Sequence, residues 1–73
     1  MVIHIDRVGK VVEGDDIGTE IQVTKATDGT GAYYILMSDD FSDPNSDKYD
    51  SWVENIEDVE EFFKESNWVI EWK

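Results

Sequence analysis

The chain has 73 residues, enough for one small domain with a thin hydrophobic core. It carries 18 Asp and Glu against 6 scattered Lys and Arg, a formal net charge of −12, which excludes direct binding to nucleic acid or to an anionic membrane. It has no cysteine, no apolar run near the roughly 20 residues of a membrane span, and no signal-peptide pattern. We therefore expect a single soluble, cytoplasmic domain over residues 1–73.

The N-terminal residues predict β-structure. Residues 2–6 alternate between apolar and polar side chains, which is typical of a short strand with Ile3 and Ile5 facing the core. Further valines extend the apolar pattern as far as Val12, after a turn at residues 9–10. We expect a first strand interrupted or followed by that turn.

A β-hairpin is predicted next. Residues 13–18 are rich in turn-forming residues, and the segments 20–26 and 32–38 then read as strands. They flank the turn signal Asp28-Gly29-Thr30-Gly31. Residues 32–37 are apolar on both faces, which indicates a strand with neighbours on each side.

The following segment predicts a loop. Residues 39–50 contain Pro44 among Asp, Asn and Ser residues, a composition that favours turns over regular elements. Trp52 and Val53 suit a pleated surface, so we expect a short strand over residues 51–54.

One amphipathic helix follows this strand. Its apolar positions recur on a single helical face, at Ile56, Val59, Phe62 and Phe63. Asn55 is the favoured N-cap, with Asp58 three residues on; the alternative start is a capping box formed by Ser51 and Glu54. The helix is predicted to end at residues 66–67.

The last segment, residues 68–73, alternates and predicts a terminal strand. The fold class is therefore α+β: an antiparallel sheet of four to five strands with one helix packed on one face, in the order ββββαβ. Trp52, Trp68 and Trp72 are assigned to the core.

A single short helix cannot cover both faces of such a sheet. The favoured interpretation is a closed, barrel-like core in which the N-terminal strands curl over the second face. The alternative is an exposed apolar patch, which would suggest a homodimer through the strand at 33–37; otherwise the protein is a monomer. The patch would be lined by Tyr33, Ile35 and Met37 or by Tyr34 and Leu36.

Enzyme chemistry is not expected. His4 is the only histidine, and neither a nucleophile-elbow nor a phosphate-binding glycine motif is present. Carboxylates are abundant, but a domain of this size has little room for a cleft that holds two of them across a substrate. No cofactor is implied.

The acidity is concentrated in one segment. Residues 39–65 contain 11 Asp and Glu against Lys48 and Lys64, a charge of −9 out of the total of −12. On the predicted helix, Glu57–Glu61 and Glu61–Glu65 are like-charge pairs four residues apart, each costing about 0.2–0.5 kcal/mol. A binding function is one reason to keep such repulsion; solubility or adaptation to salt is the other.

The first hypothesis is an acidic, non-enzymatic module that docks residues 39–65 on a basic protein, such as a nuclease or another nucleic-acid-binding protein. Phe41 and Tyr49 are its candidate anchors, because binding energy concentrates in buried aromatic side chains. The candidate partner-binding residues are Asp39, Asp40, Phe41, Asp43, Asp47, Tyr49, Asp50, Glu57, Glu61 and Glu65.

The second hypothesis is a divalent-cation site. Counted from Asp43, oxygen ligands fall at positions 1, 3, 5, 9 and 12, close to the EF-hand calcium pattern. The match lacks the glycine at position 6, where Lys48 stands, and no helix is predicted before it. The candidate ligands are Asp43, Asn45, Asp47 and Glu54.

Three segments together resemble a group of small acidic bacterial proteins: residues 31–38 (GAYYILMS), residues 49–54 (YDSWVE) and residues 62–72, which end in a Trp-x-x-x-Trp strand. Some proteins of this kind are immunity proteins, which bind and neutralise a toxin, often a basic nuclease. The resemblance spans about residues 18–73 and concerns size, charge and layout. It implies an inhibitory function and assigns no functional residue.

Overall fold

A computed structural model describes residues 3–27 and 29–73 of the chain and confirms the α+β class. The described strands form one antiparallel sheet in the order β4-β3-β2-β1-β5, and the helix connects its two edges. The elements are β1 (Val8–Glu13), β2 (Glu20–Lys25), β3 (Tyr33–Ser38), β4 (Lys48–Val53), α1 (Ile56–Glu65) and β5 (Val69–Trp72).

The N-terminal prediction is wrong in two respects. Residues 3–6 form no strand: Ile5 makes an isolated parallel bridge to Val23, and Asp6 leaves that bridge with a left-handed φ of 60°. Residues 9–10 form no turn and lie inside β1. Ile3 and Ile5 are both predicted to face the core. Ile3 packs against the core, but Ile5 is 39% exposed. Val2, also in the predicted strand, lies outside the described residues.

The hairpin prediction is confirmed. β2 and β3 pair without a break from Glu20↔Ser38 to Lys25↔Tyr33. β3 also pairs along its whole length with β4, so it has a neighbour on each side, as its two apolar faces predict.

β4 starts earlier than predicted, at Lys48, so the loop spans residues 39–47. The polar residues of this segment argue locally for a loop, but six successive pairings with β3 hold it extended. Strand propensity depends strongly on such neighbours, and here the tertiary pairing prevails over composition.

The helix starts where Asn55 predicts. The Asn55 side chain accepts a hydrogen bond from the Asp58 N–H at 2.9 Å, satisfying one of the free donors of the first turn. Ser66 is the C-cap, and Asn67 turns the chain away with a φ of 56°. Within the described ranges, no helix is long and apolar enough to cross a lipid bilayer.

The core lies between α1 and one face of the sheet. Val59 and Phe63 project from the helix onto this face, and Trp68 closes the end where the chain leaves the helix. Trp72 packs against the same cluster, so two of the three tryptophan assignments are confirmed. The buried cluster consists of Val11, Ile21, Val23, Ile35, Val59, Phe63 and Trp68.

The other face of the sheet is not covered by the helix, and the predicted closed core is wrong. Residues paired directly across strands share a face, and the pairs Tyr34↔Trp52 and Gln22↔Leu36 point away from the buried cluster. Trp52 is 51% exposed there, so its assignment to the core is also wrong. The physical reason is that residues 3–6 pack at one end of the sheet, where Ile5 bridges Val23, and do not curl over this face.

Candidate functional site

Two acidic connections meet at one end of the sheet. The segment 13–18 begins with the last residue of β1 and leads toward β2, and the segment 39–47 joins β3 to β4. The pairing Glu20↔Ser38 places both segments at the same end. Together they carry seven exposed carboxylates and no Lys or Arg, a charge of −7. We call this end the acidic pole: Glu13, Asp15, Asp16, Asp39, Asp40, Asp43 and Asp47.

The loop 39–47 is held by short side-chain hydrogen bonds. The Ser38 and Ser46 hydroxyls are 2.9 Å apart and tie the two ends of the loop together. Asp40 Oδ1 accepts from the Ser42 N–H at 2.9 Å and from its hydroxyl at 2.6 Å. Both bonds favour the ionised form and lower the pKa of the Asp40 carboxyl, so this charge persists to more acidic pH.

A buried carboxylate anchors the same loop from below. Glu20 is 7% exposed; its Oε1 accepts from the Phe41 N–H at 2.8 Å and its other oxygen pairs with the Lys73 ammonium. The Lys73 hydrogen bond, followed by the one from Phe41, lowers the pKa of Glu20. Glu20 therefore stays charged and fixes the start of the loop.

The segment 13–18 is fixed against the end of the helix. The Asp15 N–H donates to the Ser66 carbonyl at 3.0 Å. Gly14 has a φ of 99°, and its α-carbon lies so close to the Asn67 carbonyl that a side chain would overlap it. The negative end of the α1 dipole thus adds to the charge of the acidic pole.

A cleft of about 210 Å³ opens between the two acidic segments. Asp16 and Asp39 line it from either segment, Met37 contributes an apolar surface, and the 64%-exposed Tyr49 contributes an aromatic one. Thr19 and Ser38 complete the lining. Carboxylates beside an exposed ring suit a cationic side chain, because the ring face and the oxygens both attract positive charge.

The structure divides the residues predicted to form one acidic face. Four lie in the acidic pole (Asp39, Asp40, Asp43 and Asp47), and Tyr49 lies beside them in the cleft. Asp50 shares the uncovered sheet face with Leu36, and half-buried Phe41 lines a second cleft there, of about 240 Å³. Glu57, Glu61 and Glu65 are exposed on α1, on the other side of the sheet.

Distance along the helix separates this last group further. Glu57 and Glu65 are about 12 Å apart along the helix axis at 1.5 Å per residue. Glu65 lies at the end of the helix near the acidic pole, and Glu57 lies at the opposite end.

The sequence did not identify Glu13, Asp15 and Asp16 as candidate binding residues. The sequence does predict a turn at residues 13–18, but it does not show that this turn lies beside the loop 39–47. That proximity depends on the order of the strands in the sheet.

The four candidate calcium ligands do not all lie close together in the structure. Asp47 precedes β4 and Glu54 follows it, so an extended strand of about 20 Å separates them. Asp43 Oδ1 accepts a hydrogen bond from the Asn45 N–H at 2.9 Å, and the Lys48 ammonium donates to the Asp43 backbone carbonyl at 3.3 Å. No group of three or more His, Asp or Glu side chains suited to a metal ion occurs within residues 3–27 and 29–73.

The side chain of His4 packs against the core and lies outside the acidic pole. Its ring packs edge-on against Trp72, with centroids 5.2 Å apart, away from the acidic pole at the other end of the sheet.

Comparisons of the chain with protein-family models, curated proteins and solved structures found no match. A function for the acidic pole therefore rests on its geometry and charge.

Proposed function

We propose that this protein is a non-enzymatic binding module that docks its acidic pole on a basic protein surface, as an inhibitor of immunity or nucleic-acid-mimic type does. The observation that carries the proposal is the meeting of seven exposed carboxylates from two separate segments at one end of the sheet. Such a concentration of like charge opposes folding, so a complementary partner is its most direct use.

Long-range attraction is the first contribution of the acidic pole. A surface that carries −7 within two adjacent connections steers a cationic partner and speeds association. The effect weakens as salt rises, because the Debye length falls from about 10 Å at 0.1 M to about 3 Å at 1 M.

The cleft is the second contribution. An arginine of the partner would place its guanidinium between Asp16 and Asp39 and against the Tyr49 ring. Arginine suits this lining better than lysine, since its planar group binds carboxylates in pairs and stacks on aromatic rings. The cleft exceeds the roughly 30 Å³ of one water several times, so it has room for a long side chain.

The partner class follows from the same charge pattern. Proteins that bind nucleic acid present clustered Lys and Arg, and the acidic pole offers carboxylates where such a surface expects phosphates. The resemblance of residues 18–73 to small acidic immunity proteins points to the same class, with a basic nuclease as the leading candidate.

The test compares two variants that remove equal charge. In the first, Asp15, Asp16 and Asp39 become Asn; in the second, Glu57, Glu60 and Glu61 on α1 become Gln. Both change the net charge from −12 to −9, and the first spares Asp40 and Asp43, which hold the loop. Each protein is tagged and used to capture partners from its native lysate at low and high salt, with mass spectrometry of the eluate.

We expect the parent and the helix variant to retain the same basic protein at low salt and to release it at high salt. The pole variant should bind it roughly 3- to 150-fold more weakly, since each of the three lost ion pairs contributes about 0.2–1 kcal/mol. Equal weakening by both variants would mean that net charge alone acts. Capture of no basic protein would leave solubility as the reason for the acidity and contradict the proposal.

A further inference from the structure

The sheet face opposite α1 carries exposed apolar side chains. We call it the open sheet face; it comprises the outward positions of all five strands. Trp52 is 51% exposed and pairs across the strands with half-buried Tyr34, while Leu36 lies in the next row. Val69, on the opposite edge strand, is 47% exposed. An aromatic and aliphatic surface of this kind in a small domain marks an interaction site.

The charge of the open sheet face differs from that of the rest of the molecule. Its strand positions, together with Lys73 directly after β5, hold three lysines and four carboxylates, a net charge of −1, so −11 of the −12 lies elsewhere. One row of this face alternates in sign, since Lys10 lies opposite Glu20 on β2 and opposite Glu71 on β5. The charged positions are Lys10, Lys48, Lys73, Glu13, Glu20, Asp50 and Glu71.

This balance selects the occupant. A basic partner would meet three lysines here, and an acidic partner would be repelled by the −11 of the rest of the chain. A second copy of the chain presents the same nearly neutral, partly apolar face, and a two-fold axis makes such a face, with charges of both signs, complementary to itself. With the axis across the strands, the acidic poles of the two copies point to opposite ends.

We propose that the open sheet face forms a weak, reversible homodimer in which two sheets pack face to face. Four strands of six residues and one of four, at about 3.3 Å per residue and about 4.8 Å between strands, give a flat area of roughly 450 Å². This is below the roughly 800 Å² per partner of a standard stable interface, so the dimer is transient. Salt strengthens it, because screening removes the repulsion between two chains of −12.

The salt dependence separates this proposal from the binding of a basic partner, which salt weakens. Sedimentation equilibrium of the purified protein from about 10 µM to about 1 mM, in about 50 mM and about 500 mM NaCl, gives the average mass. We expect it to rise from 8.4 kDa toward twice that value, and at lower protein concentration in the higher salt.

Two substitutions on the same edge strand form a matched pair. Trp52→Lys places a charge on the open sheet face, whereas Tyr49→Lys makes the same kind of change on the other face of β4, where Tyr49 is 64% exposed. Val69→Lys tests the far edge of the open sheet face independently. Thermal unfolding of each variant checks that it is folded.

We expect Trp52→Lys and Val69→Lys to remain monomeric under all conditions and Tyr49→Lys to dimerise like the parent. Loss of the dimer in both Trp52→Lys and Tyr49→Lys would indicate pairing along the β4 edge and overturn the proposal. A parent that stays monomeric at the highest concentration, or a dimer that salt dissociates, would overturn it as well.

Discussion

The glycine within β1 offers a test in which strand propensity and packing predict opposite signs. Glycine in a strand interior is less stable than alanine by roughly 0.5–1 kcal/mol, because it loses more conformational freedom on folding. Gly9 does not have a positive φ that would require glycine. Local reasoning alone therefore predicts that Gly9→Ala stabilises the protein.

The packing around Gly9 predicts the reverse. A β-carbon there would lie 2.9 Å from Trp72 Cε3 and would overlap Ile70 Cγ2. The Ile70 methyl branches from its β-carbon and has little rotational freedom. The Trp72 ring is held between Phe63 and His4, at centroid distances of 6.4 Å and 5.2 Å. Neither neighbour moves cheaply.

Overpacking of a core costs about 1–3 kcal/mol, which exceeds the propensity gain. We expect Gly9→Ala to lower the free energy of unfolding by about 1 kcal/mol. A change of that size lowers the Tm by about 4–8 °C in a domain of this length. Thermal and urea unfolding followed by circular dichroism measure both quantities.

A rescue variant makes the test specific. Ile70→Leu moves the branch away from the β-carbon, so Gly9→Ala should cost less in that background than in the parent. A double-mutant cycle gives this coupling directly. If Gly9→Ala is as stable as the parent or more stable, the close packing of β5 on Gly9 is refuted.

Two further predictions concern stability. Asn55→Ala removes the side-chain acceptor at the start of α1 and should cost about 1 kcal/mol in urea unfolding, whereas Ser51→Ala, at the alternative cap, should have little effect. The pKa of Glu20 is lowered in the folded state, so its stabilising contribution is complete above its ordinary pKa of 4.5 and is lost as the pH falls through the lowered value. Glu20→Gln keeps an acceptor for the Phe41 N–H but cannot ionise. Its Tm should fall less than that of the parent on acidification; parallel Tm profiles would contradict this.

The elements that the sequence predicts correctly are those with a local signal. Alternation over a few residues identifies β2 and β5, an apolar run after a turn signal identifies β3, and the Asn55 cap with an apolar stripe identifies α1. These patterns involve residues two to four positions apart, so they can be recognised without knowledge of the tertiary structure. The start of β4 is misread because its pairing with β3, and not its own polar residues, holds it extended.

The candidate site follows a different rule. The sequence by itself determines the net charge of −12, its concentration in residues 39–65 and the helix that carries part of it. Only the tertiary structure decides that Asp15 and Asp16 join the loop 39–47 while Glu57 lies at the far end of the helix. It also decides that Trp52 faces solvent. The physical reason is that strand order and the side on which the helix packs set these neighbours, and both depend on contacts between residues far apart in the chain.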